Sequence, residues 1–448
     1  MVPAALSQRS EAYLAHPGRE IGGELTVPGD KSISHRALLL GAVAEGSTAI
    51  EGFLRSEDCL ATLAALEAMG VEIVADGEML AVRGVGPHGL RAPEKPLYLG
   101  NSGTAMRLLA GLLAAQPFDS VLTGDESLRR RPMERVAEPL RAMGARLSTL
   151  DGKAPLRIGG AGRLKGIDYT LPVASAQLKS ALLIAGLFAQ GRTTVRSPAP
   201  SRDHTERMFA SMGVQVEHGP GEIVAVEGPA TLAGATIRVP GDFSSAAFFL
   251  VAGALAAPGG LLIKDVGVNA TRIGLLNILR DMGARIDVRN PRRSGTEPVA
   301  DLFVQKSRLR GVEVPAELVP LAIDEFPVLF VAGACANGEM TLRGAGELRH
   351  KESDRLAVMA QGLQELGIAV TEYPDGLSIL GGAIGGGRVD SDGDHRVAMA
   401  FAVASAVAEA TIEILSTGQV ATSFPDFVST ANACGFALEV REASSDGR

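Results

Sequence analysis

The stretch VPGDKSISHR, residues 27–36, is typical of a strand end, a tight Pro-Gly turn and the first turn of a helix. Asp30 can cap the backbone N–H groups of the helix start, and those groups carry partial positive charge. Lys31, His35 and Arg36 add side-chain donors within two turns. The stretch therefore predicts a pocket for a phosphate or carboxylate, although an ordinary capped helix with solvated basic residues fits it too.

A helix end with a glycine, followed by a strand, occurs six times in this chain, at spacings of 68 to 84 residues. A glycine just past the last helical residue is the usual left-handed cap, so each copy predicts a helix that leads into a strand. Repeated spacing of this kind predicts a repeat architecture. The six glycines are Gly70, Gly144, Gly213, Gly283, Gly367 and Gly435.

A polar turn that introduces an Ala- and Leu-rich helix also occurs six times, out of phase with the glycine signature. These helices are apolar nearly all round, which predicts that they are buried and that their N-termini could face one region. Each repeat is predicted to contain a strand, a buried helix, a strand, an amphipathic helix and one or two further strands. The polar turns are residues 29–36, 100–107, 173–180, 241–248, 322–329 and 391–399.

The length of 448 residues is natural for two domains, and six repeats divide best into three plus three. The sequence VPGD at 27–30 recurs at 239–242, which predicts two chain crossings between the halves. We therefore expect an α/β protein of two similar domains. The first is residues 30–240, and the second is residues 241–448 with the N-terminal strand in 1–29.

The composition narrows the class of protein. A net charge of −8 argues against a general nucleic-acid binder, so any anion site must be a local concentration of positive charge. The three cysteines are isolated and show no metal-ligand spacing, which predicts a reduced, cytoplasmic protein. The first 20 residues do not match a signal peptide, and no apolar stretch predicts membrane insertion. Nucleotide-binding glycine motifs are absent as well.

Charged side chains collect in and around the polar turns. The cations predict an anionic ligand with more than one charged group, and Asp324 and Glu352 are candidates for proton transfer. The positive groups are Lys31, Arg36, Arg107, Arg129, Arg130, Arg131, Arg202, Lys351, Arg355 and Arg396. The carboxylates are Asp242, Asp324, Glu325, Glu352, Asp354 and Asp394. The neutral donors are Ser32, Asn101, Ser175 and Gln177.

Each of these groups has a structural alternative. The run LRRRPMERV (128–136) could be a solvated basic face. HKESDRL (350–356) could form surface ion pairs, and DHR (394–396) could be a helix cap. Their placement at equivalent positions of a repeat favours a site.

These motifs resemble those of the 5-enolpyruvylshikimate-3-phosphate synthase (3-phosphoshikimate 1-carboxyvinyltransferase) family, over essentially residues 21–435. The matching motifs are PGDKSISHR, LGNSGTAMR, RRRPM, SAQLKSA, SRDHTE, GDFSSAA, IDEFP, KESDRL, GDHRVAMAF and TSFPDF. The resemblance implies two domains, each of three βαβαββ units around buried parallel helices. It also implies transfer of the enolpyruvyl group of phosphoenolpyruvate to the 5-hydroxyl of shikimate 3-phosphate, with release of phosphate. This step of the shikimate pathway needs no cofactor or metal, and we expect a monomer in the cytoplasm.

The resemblance also implies roles for the matching residues. Asp324 would accept the proton of the 5-hydroxyl, Glu352 would protonate the methylene carbon, and Lys31 would take part in catalysis. The residues implied to bind shikimate 3-phosphate are Lys31, Ser32, Arg36, Ser175, Gln177, Arg202, Asp324 and Lys351. The residues implied to bind phosphoenolpyruvate are Lys31, Gly103, Arg131, Gln177, Arg355 and Arg396.

Some positions depart from the family pattern. Thr422 stands where many relatives have a lysine on phosphoenolpyruvate, and Glu347 stands where some have an asparagine near the shikimate phosphate. Gly103 is the residue that the family associates with sensitivity to glyphosate, since a methyl group there would crowd this inhibitor. Because Thr422 stands in place of the lysine, one substrate contact from the second half is missing or replaced.

Two other functions remain as alternatives. The UDP-N-acetylglucosamine 1-carboxyvinyltransferases share the fold and phosphoenolpyruvate, but their mobile loop carries a reactive cysteine that GDESLRRRPM (124–133) lacks. A non-catalytic polyanion-binding protein of the same fold would gain nothing from carboxylates at Asp324 and Glu352.

Overall fold

The structure is a computed structural model that describes residues 11–17, 20–77, 79–160 and 163–442. Residues 1–10 and 18–19 of the predicted N-terminal segment 1–29 lie outside this described part. Within the described ranges, every helix is too short or too polar to cross a membrane.

Buried helices alternate along the chain with helices that are only partly buried. Those that begin at the polar turns are buried, such as the one at Phe243–Ala256, in which every residue is buried. The helices are α1 (Lys31–Ala42), α2 (Glu57–Ala68), α3 (Gly103–Leu113), α4 (Glu126–Arg130), α5 (Glu134–Ala142), α6 (Ala176–Gly186), α7 (His204–Ser211), α8 (Phe243–Ala256), α9 (Gly274–Asp281), α10 (Phe326–Ala334), α11 (Arg355–Glu365), α12 (His395–Ala404) and α13 (Phe427–Ala433). Short 3₁₀ helices form at Ala316–Leu318, Gly346–His350 and Thr417–Thr422.

The strands are short, as expected for a repeat with many strand–helix junctions. They are β1 (Glu11–Ala15), β2 (Gly23–Thr26), β3 (Ser47–Glu51), β4 (Glu72–Asp76), β5 (Met79–Arg83), β6 (Leu97–Tyr98), β7 (Ser120–Thr123), β8 (Arg146–Leu150), β9 (Lys153–Gly159), β10 (Asp168–Thr170), β11 (Gly191–Arg196), β12 (Val216–Gly219), β13 (Ile223–Gly228), β14 (Thr236–Arg238), β15 (Leu261–Gly267), β16 (Arg285–Ser294), β17 (Glu297–Gln305), β18 (Glu339–Thr341), β19 (Ala369–Tyr373), β20 (Gly376–Leu380), β21 (Gly387–Asp390), β22 (Ile412–Leu415) and β23 (Leu438–Glu442).

Of the six small sheets that these strands form, five have four strands with a parallel pair at one edge, and β18-β20-β19 has three antiparallel strands. In β6-β7-β9-β8, for example, β6 runs parallel to β7, and the other neighbours are antiparallel. The other sheets have the orders β14-β3-β5-β4, β10-β11-β13-β12, β16-β17-β15-β2, β18-β20-β19 and β21-β22-β1-β23. This sixfold arrangement confirms the α/β repeat fold predicted from the sequence.

Strands that are distant in sequence complete three of the sheets. The N-terminal strand β1 lies between β22 and β23 and is antiparallel to both. Strand β2 pairs in parallel with β15, and β14 pairs in parallel with β3. The segments on either side of each VPGD sequence are therefore fixed in different sheets.

The chain forms two compact units. Unit I contains Gly29–Pro240 and Arg293–Pro298, and unit II contains the described residues of Met1–Pro28, Gly241–Arg292 and Val299–Arg448. Each unit has its own apolar core, and the two cores share no residue.

The segment Arg293–Pro298 falls within residues 241–448, the range that the sequence analysis gave to the second domain, but it packs in unit I. The reason is a buried contact with α7: His204 Nδ1 lies 2.8 Å from Glu297 Oε1. In addition, Arg207 donates to the carbonyl oxygen of Thr296 at 3.0 Å.

The glycines of the repeat signature have the backbone conformation that their caps require. All six have φ between +88° and +107°, which confirms the predicted left-handed caps. Gly111 has a different role, because a Cβ there would lie 2.3 Å from the carbonyl oxygen of Ala181. Helices α3 and α6 can therefore pack backbone against backbone only with glycine at this position.

Candidate active site

Side chains from the polar turns cap the N-termini of five of the six buried helices, whereas α10 begins after Glu325 without a side-chain cap. In unit I, Asp30 accepts from Ile33 N at 2.9 Å, and Ser102 and Ser175 cap α3 and α6 in the same way. In unit II, Asp242 and Asp394 cap α8 and α12. Asp394 is therefore a helix cap, as the alternative interpretation of DHR (394–396) predicted. Its carboxylate also binds Arg355.

Three candidate residues of unit I meet at the start of α1. Lys31 Nζ lies 3.0 Å from Asp58 Oδ2 at the start of α2, and the lysine side chain is 16% exposed. Arg202 Nη1 donates to the hydroxyl of the neighbouring Ser32 at 3.4 Å. The structure thus brings Lys31, Ser32 and Arg202 together, and it adds Asp58, which sequence reasoning missed because its only local signal is an acidic first helical turn.

Arg36 lies behind this group and is only 1% exposed. Its Nε donates to Thr205 Oγ1 at 2.7 Å, and its Nη2 donates to Ser180 Oγ at 2.8 Å. A third bond, 3.0 Å long, joins its Nη1 to the carbonyl oxygen of Ser32. These bonds fix the positive charge of Arg36 close to the N-terminus of α1, and Thr205 and Ser180 had no role in the sequence analysis.

His35 does not face a pocket, and the prediction that it adds an anion donor is wrong. The ring is fully buried, with Nδ1 2.8 Å from Thr62 Oγ1 and Nε2 3.4 Å from Ser102 Oγ. Burial, together with the charges of Lys31 and Arg36, lowers the pKa of His35 to about 3. A neutral imidazole therefore links α1, α2 and α3, because residue 35 lies on the face of α1 that packs into the core.

Two guanidinium groups lie over Gly103, the first residue of α3. A Cβ at this position would be 2.8 Å from Arg107 Nη1 and 3.0 Å from Arg131 Nη1. Gln177 Oε1 accepts from the same Arg107 nitrogen at 2.7 Å, and Asn101 Oδ1 accepts from Arg131 Nη2. Gly103, Arg131 and Gln177 are thus brought together as predicted for an anion pocket, and Arg107, which had no assigned role, joins them.

The three consecutive arginines of the predicted basic run have different environments. Arg129 and Arg130 are exposed at the end of α4, whereas Arg131 is only 7% exposed. The chain leaves the helix at Arg131, with ψ of 145°, and this turns the third side chain inward. The solvated-face alternative therefore holds for the first two arginines and fails for the third.

Both proton-transfer candidates of unit II contact one buried arginine. Arg355 Nη1 lies 3.5 Å from Asp324 Oδ1, and its Nη2 lies 2.7 Å from Glu352 Oε2. Asp394 Oδ2 accepts from Arg355 Nε at 2.7 Å, and Lys351 Nζ lies 3.1 Å from Asp324 Oδ1. Because Arg355 is 1% exposed, these contacts are not the surface ion pairs that HKESDRL could have formed.

The charge of Arg355 is secured by its neighbours. Although burial opposes the charged form, the carboxylates of Asp394, Glu352 and Asp324 raise the pKa of this arginine above its usual value. The guanidinium therefore remains a fixed cation next to both candidate acid–base groups.

Arg396 is at the start of α12, and its side chain is 11% exposed. Its Nη1 donates to the backbone oxygen of Asp324 at 3.0 Å and lies 3.8 Å from Glu325 Oε1. Arg396 is thus joined to the Asp324 segment, as the predicted site requires. Glu325 is 2% exposed and receives the hydroxyl hydrogen of Ser244.

The two positions that depart from the family pattern are engaged differently. Thr422 is 4% exposed, and its hydroxyl donates to the carbonyl oxygen of Gln419 at 2.7 Å, so it is used within its own 3₁₀ helix. Glu347 is half-buried in the 3₁₀ helix Gly346–His350. Thr422 therefore offers no substitute for a lysine side chain.

The two groups of residues differ in charge. Around α1, α3 and α6 of unit I, cations outnumber the carboxylates Asp30, Asp58 and Asp125, which suits a polyanion. The cations of this unit I group are Lys31, Arg36, Arg107, Arg131 and Arg202. In unit II, each cation of the group lies next to a carboxylate, and this arrangement suits proton transfer. The charged residues of this unit II group are Asp242, Arg272, Asp324, Glu325, Lys351, Glu352, Arg355, Asp394 and Arg396.

Comparisons with known proteins identify the family of this chain. The family model of EPSP synthase (3-phosphoshikimate 1-carboxyvinyltransferase) matches residues 15–430. The 3-phosphoshikimate 1-carboxyvinyltransferase of Methylococcus capsulatus is 55% identical over 97% of this chain and 100% of its own. That of Alkalilimnicola ehrlichii is 58% identical over 95% of this chain and 96% of its own.

Solved structures give the same result. An EPSP synthase from Acinetobacter baumannii is 49% identical and superposes with a TM-score of 0.86, covering 96% of this chain and 100% of its own. The similarity extends over almost the whole of this chain and of these relatives. The chain therefore belongs to the EPSP synthase (3-phosphoshikimate 1-carboxyvinyltransferase) family.

Proposed function

We propose that this chain transfers the enolpyruvyl group of phosphoenolpyruvate to the 5-hydroxyl of shikimate 3-phosphate and releases phosphate. The observation that carries the proposal is that Asp324 and Glu352 contact the same buried guanidinium, that of Arg355. A binding protein for polyanions gains nothing from two carboxylates at such a place, whereas addition followed by elimination needs an acceptor and a donor of protons.

The steps of the reaction follow from these groups. Asp324, fixed by Lys351 and Arg355, accepts the proton of the 5-hydroxyl as its oxygen bonds to the central carbon of phosphoenolpyruvate. Glu352 gives a proton to the methylene carbon, and the product is a tetrahedral intermediate. As the bond from the central carbon to the phosphate oxygen breaks, Glu352 takes back one methyl proton and Asp324 gives its proton to the departing phosphate, and the products are the enol ether and phosphate. Cations held in place before the reaction stabilise the charge that develops.

Substrate binding is assigned to the residues that the family motifs mark. Lys31, Ser32, Arg36, Ser175, Gln177, Arg202, Asp324 and Lys351 bind shikimate 3-phosphate. Lys31, Gly103, Arg131, Gln177, Arg355 and Arg396 bind phosphoenolpyruvate. The position of Arg107 beside Gly103 and Gln177 supports adding it to the second group.

The test measures phosphate released from phosphoenolpyruvate with shikimate 3-phosphate, with UDP-N-acetylglucosamine and with neither. We expect release only with shikimate 3-phosphate. Release only with the nucleotide sugar would favour the sister activity. Binding of both proposed substrates without release would favour a non-catalytic binding protein.

We also propose that the enzyme works as a monomer in the cytoplasm. Cys59, Cys335 and Cys434 are all free thiols, which fits a reducing compartment. Light scattering coupled to gel filtration would give the mass of the active species, for comparison with 46.4 kDa for one chain.

A further inference from the structure

A buried chain of hydrogen bonds in unit II leads from Arg272 to Glu325. Arg272 is 3% exposed and lies in the loop before α9. Its Nη2 donates to Asp242 Oδ1 at 3.0 Å and to Ser244 Oγ at 2.7 Å. Because the arginine uses a lone pair of the serine oxygen, the hydroxyl hydrogen of Ser244 points away from it and binds Glu325 Oε1.

The carboxylate of Glu325, at the end of this series of hydrogen bonds, competes with an anionic ligand for Arg396. Glu325 Oε1 lies 3.8 Å from Arg396 Nη1, which is too long for a hydrogen bond. A movement of about 1 Å would make a charge-assisted bond, and in a buried place the attraction between these two charges is strong. Such a pair would occupy guanidinium donors that an anionic ligand needs.

We infer that Arg272 and Ser244 are positioning residues that hold Glu325 away from Arg396, so that this arginine stays available to phosphoenolpyruvate. The inference rests on the proposed function, in which Arg396 binds that substrate. Asp242 completes the arrangement, because it fixes Arg272 and caps α8 through the backbone N–H of Ser244.

The test begins with Ser244→Ala. The change removes the donor to Glu325, so the carboxylate turns to Arg396, and the KM for phosphoenolpyruvate rises by about tenfold or more. The KM for shikimate 3-phosphate changes much less. Ser244→Thr keeps the hydroxyl and keeps the low KM.

A double variant separates this role from a general loss of structure. Glu325→Gln removes the competing charge, so the double variant Ser244→Ala, Glu325→Gln should recover most of the lost affinity for phosphoenolpyruvate. A mere packing defect at Ser244 would not be relieved in this way. Ser245→Ala, at the next and equally buried position of α8, is the matched control and should keep the KM of the wild type.

Either of two results would overturn the inference: an equal rise of both Michaelis constants in Ser244→Ala, or a double variant as poor as the single one. The wild-type assay distinguishes these results from a failure of the proposed function, because the proposal fails if the unchanged enzyme releases no phosphate. Calorimetric titration with phosphoenolpyruvate gives the same comparison of variants without turnover.

Discussion

Asp324 illustrates how neighbouring charges define the chemistry of one carboxylate. Lys351 and Arg355 both contact its Oδ1, at 3.1 and 3.5 Å, and its backbone oxygen accepts from Arg396. The side chain is still 14% exposed, so it can be reached. Cations beside a carboxylate favour its ionised form, and this is the form that can take up a proton from a ligand.

We expect Asp324→Asn to lower kcat by about 10²- to 10⁴-fold, because the amide keeps the shape but cannot accept the proton. The dissociation constant for shikimate 3-phosphate, measured by calorimetry, should change little. Asp354→Asn is the control, since Asp354 caps α11 and asparagine also caps well. Turnover of Asp324→Asn close to that of wild type would remove Asp324 from the mechanism.

Gly103 is the second residue whose surroundings predict a kinetic effect. The methyl group of Gly103→Ala would meet the guanidinium ends of Arg107 and Arg131, at 2.8 and 3.0 Å. These ends can shift, so we expect the protein to fold and the pocket to shrink. The inhibition constant of glyphosate should rise more than the KM for phosphoenolpyruvate, since the inhibitor extends slightly beyond the enol. If both constants move by one factor, or neither moves, the steric argument is wrong.

At the scale of elements, His35 joins α1, α2 and α3 as a neutral, fully buried group. Its pKa is about 3 in the folded protein and 6.5 as the ordinary value. Below pH 6.5 the unfolded chain therefore binds a proton that the folded chain does not bind. The free energy of unfolding should fall as the pH decreases from 6.5 towards 3.

The variant His35→Gln should make this pH dependence shallower, by roughly 1 kcal/mol per pH unit within that window. The measurement is urea unfolding at a series of pH values. The same substitution at the exposed position 218, His218→Gln, is the control for replacing a histidine by glutamine. Equal slopes for wild type and His35→Gln would show that His35 is protonated in both states.

At the scale of the whole molecule, the two units have separate cores, so a packing defect in one should stay there. Gly111→Ala places a methyl group 2.3 Å from a backbone oxygen of α6, and neither helix can yield easily. We expect faster amide hydrogen exchange in α3 and α6, and unchanged exchange in α8, α10 and α12, as measured by mass spectrometry.

Gly333→Ala is the matched control for this experiment. It is also a buried helical glycine, but the added methyl group meets the flexible side chain of Met340, with Sδ at 2.6 Å. Its effect should be smaller and confined to unit II. Faster exchange of Gly111→Ala throughout both units would contradict the independence of the cores.

The sequence by itself determined the repeat, the six buried helices and most of the candidate site. These features depend on local interactions: a cap such as Asp30 binds Ile33, three residues away, and a glycine such as Gly70 ends its own helix. Apolar residues all round a helix such as α8 likewise require burial wherever that helix packs. The family motifs then marked Lys31, Gly103 and Asp324.

Only the tertiary structure decided which side chains hold these residues in place. Arg36 is bound by Thr205, 169 residues away, and Ser244 by Glu325, 81 residues away, so no local pattern could reveal either pair. The same holds for β1, which joins β22 and β23 at the far end of the chain. His35 is buried because α1 packs against α2 and α3, and this packing fixes which face of α1 is buried. No single repeat contains both of these helices, so the sequence of one repeat does not reveal the contact.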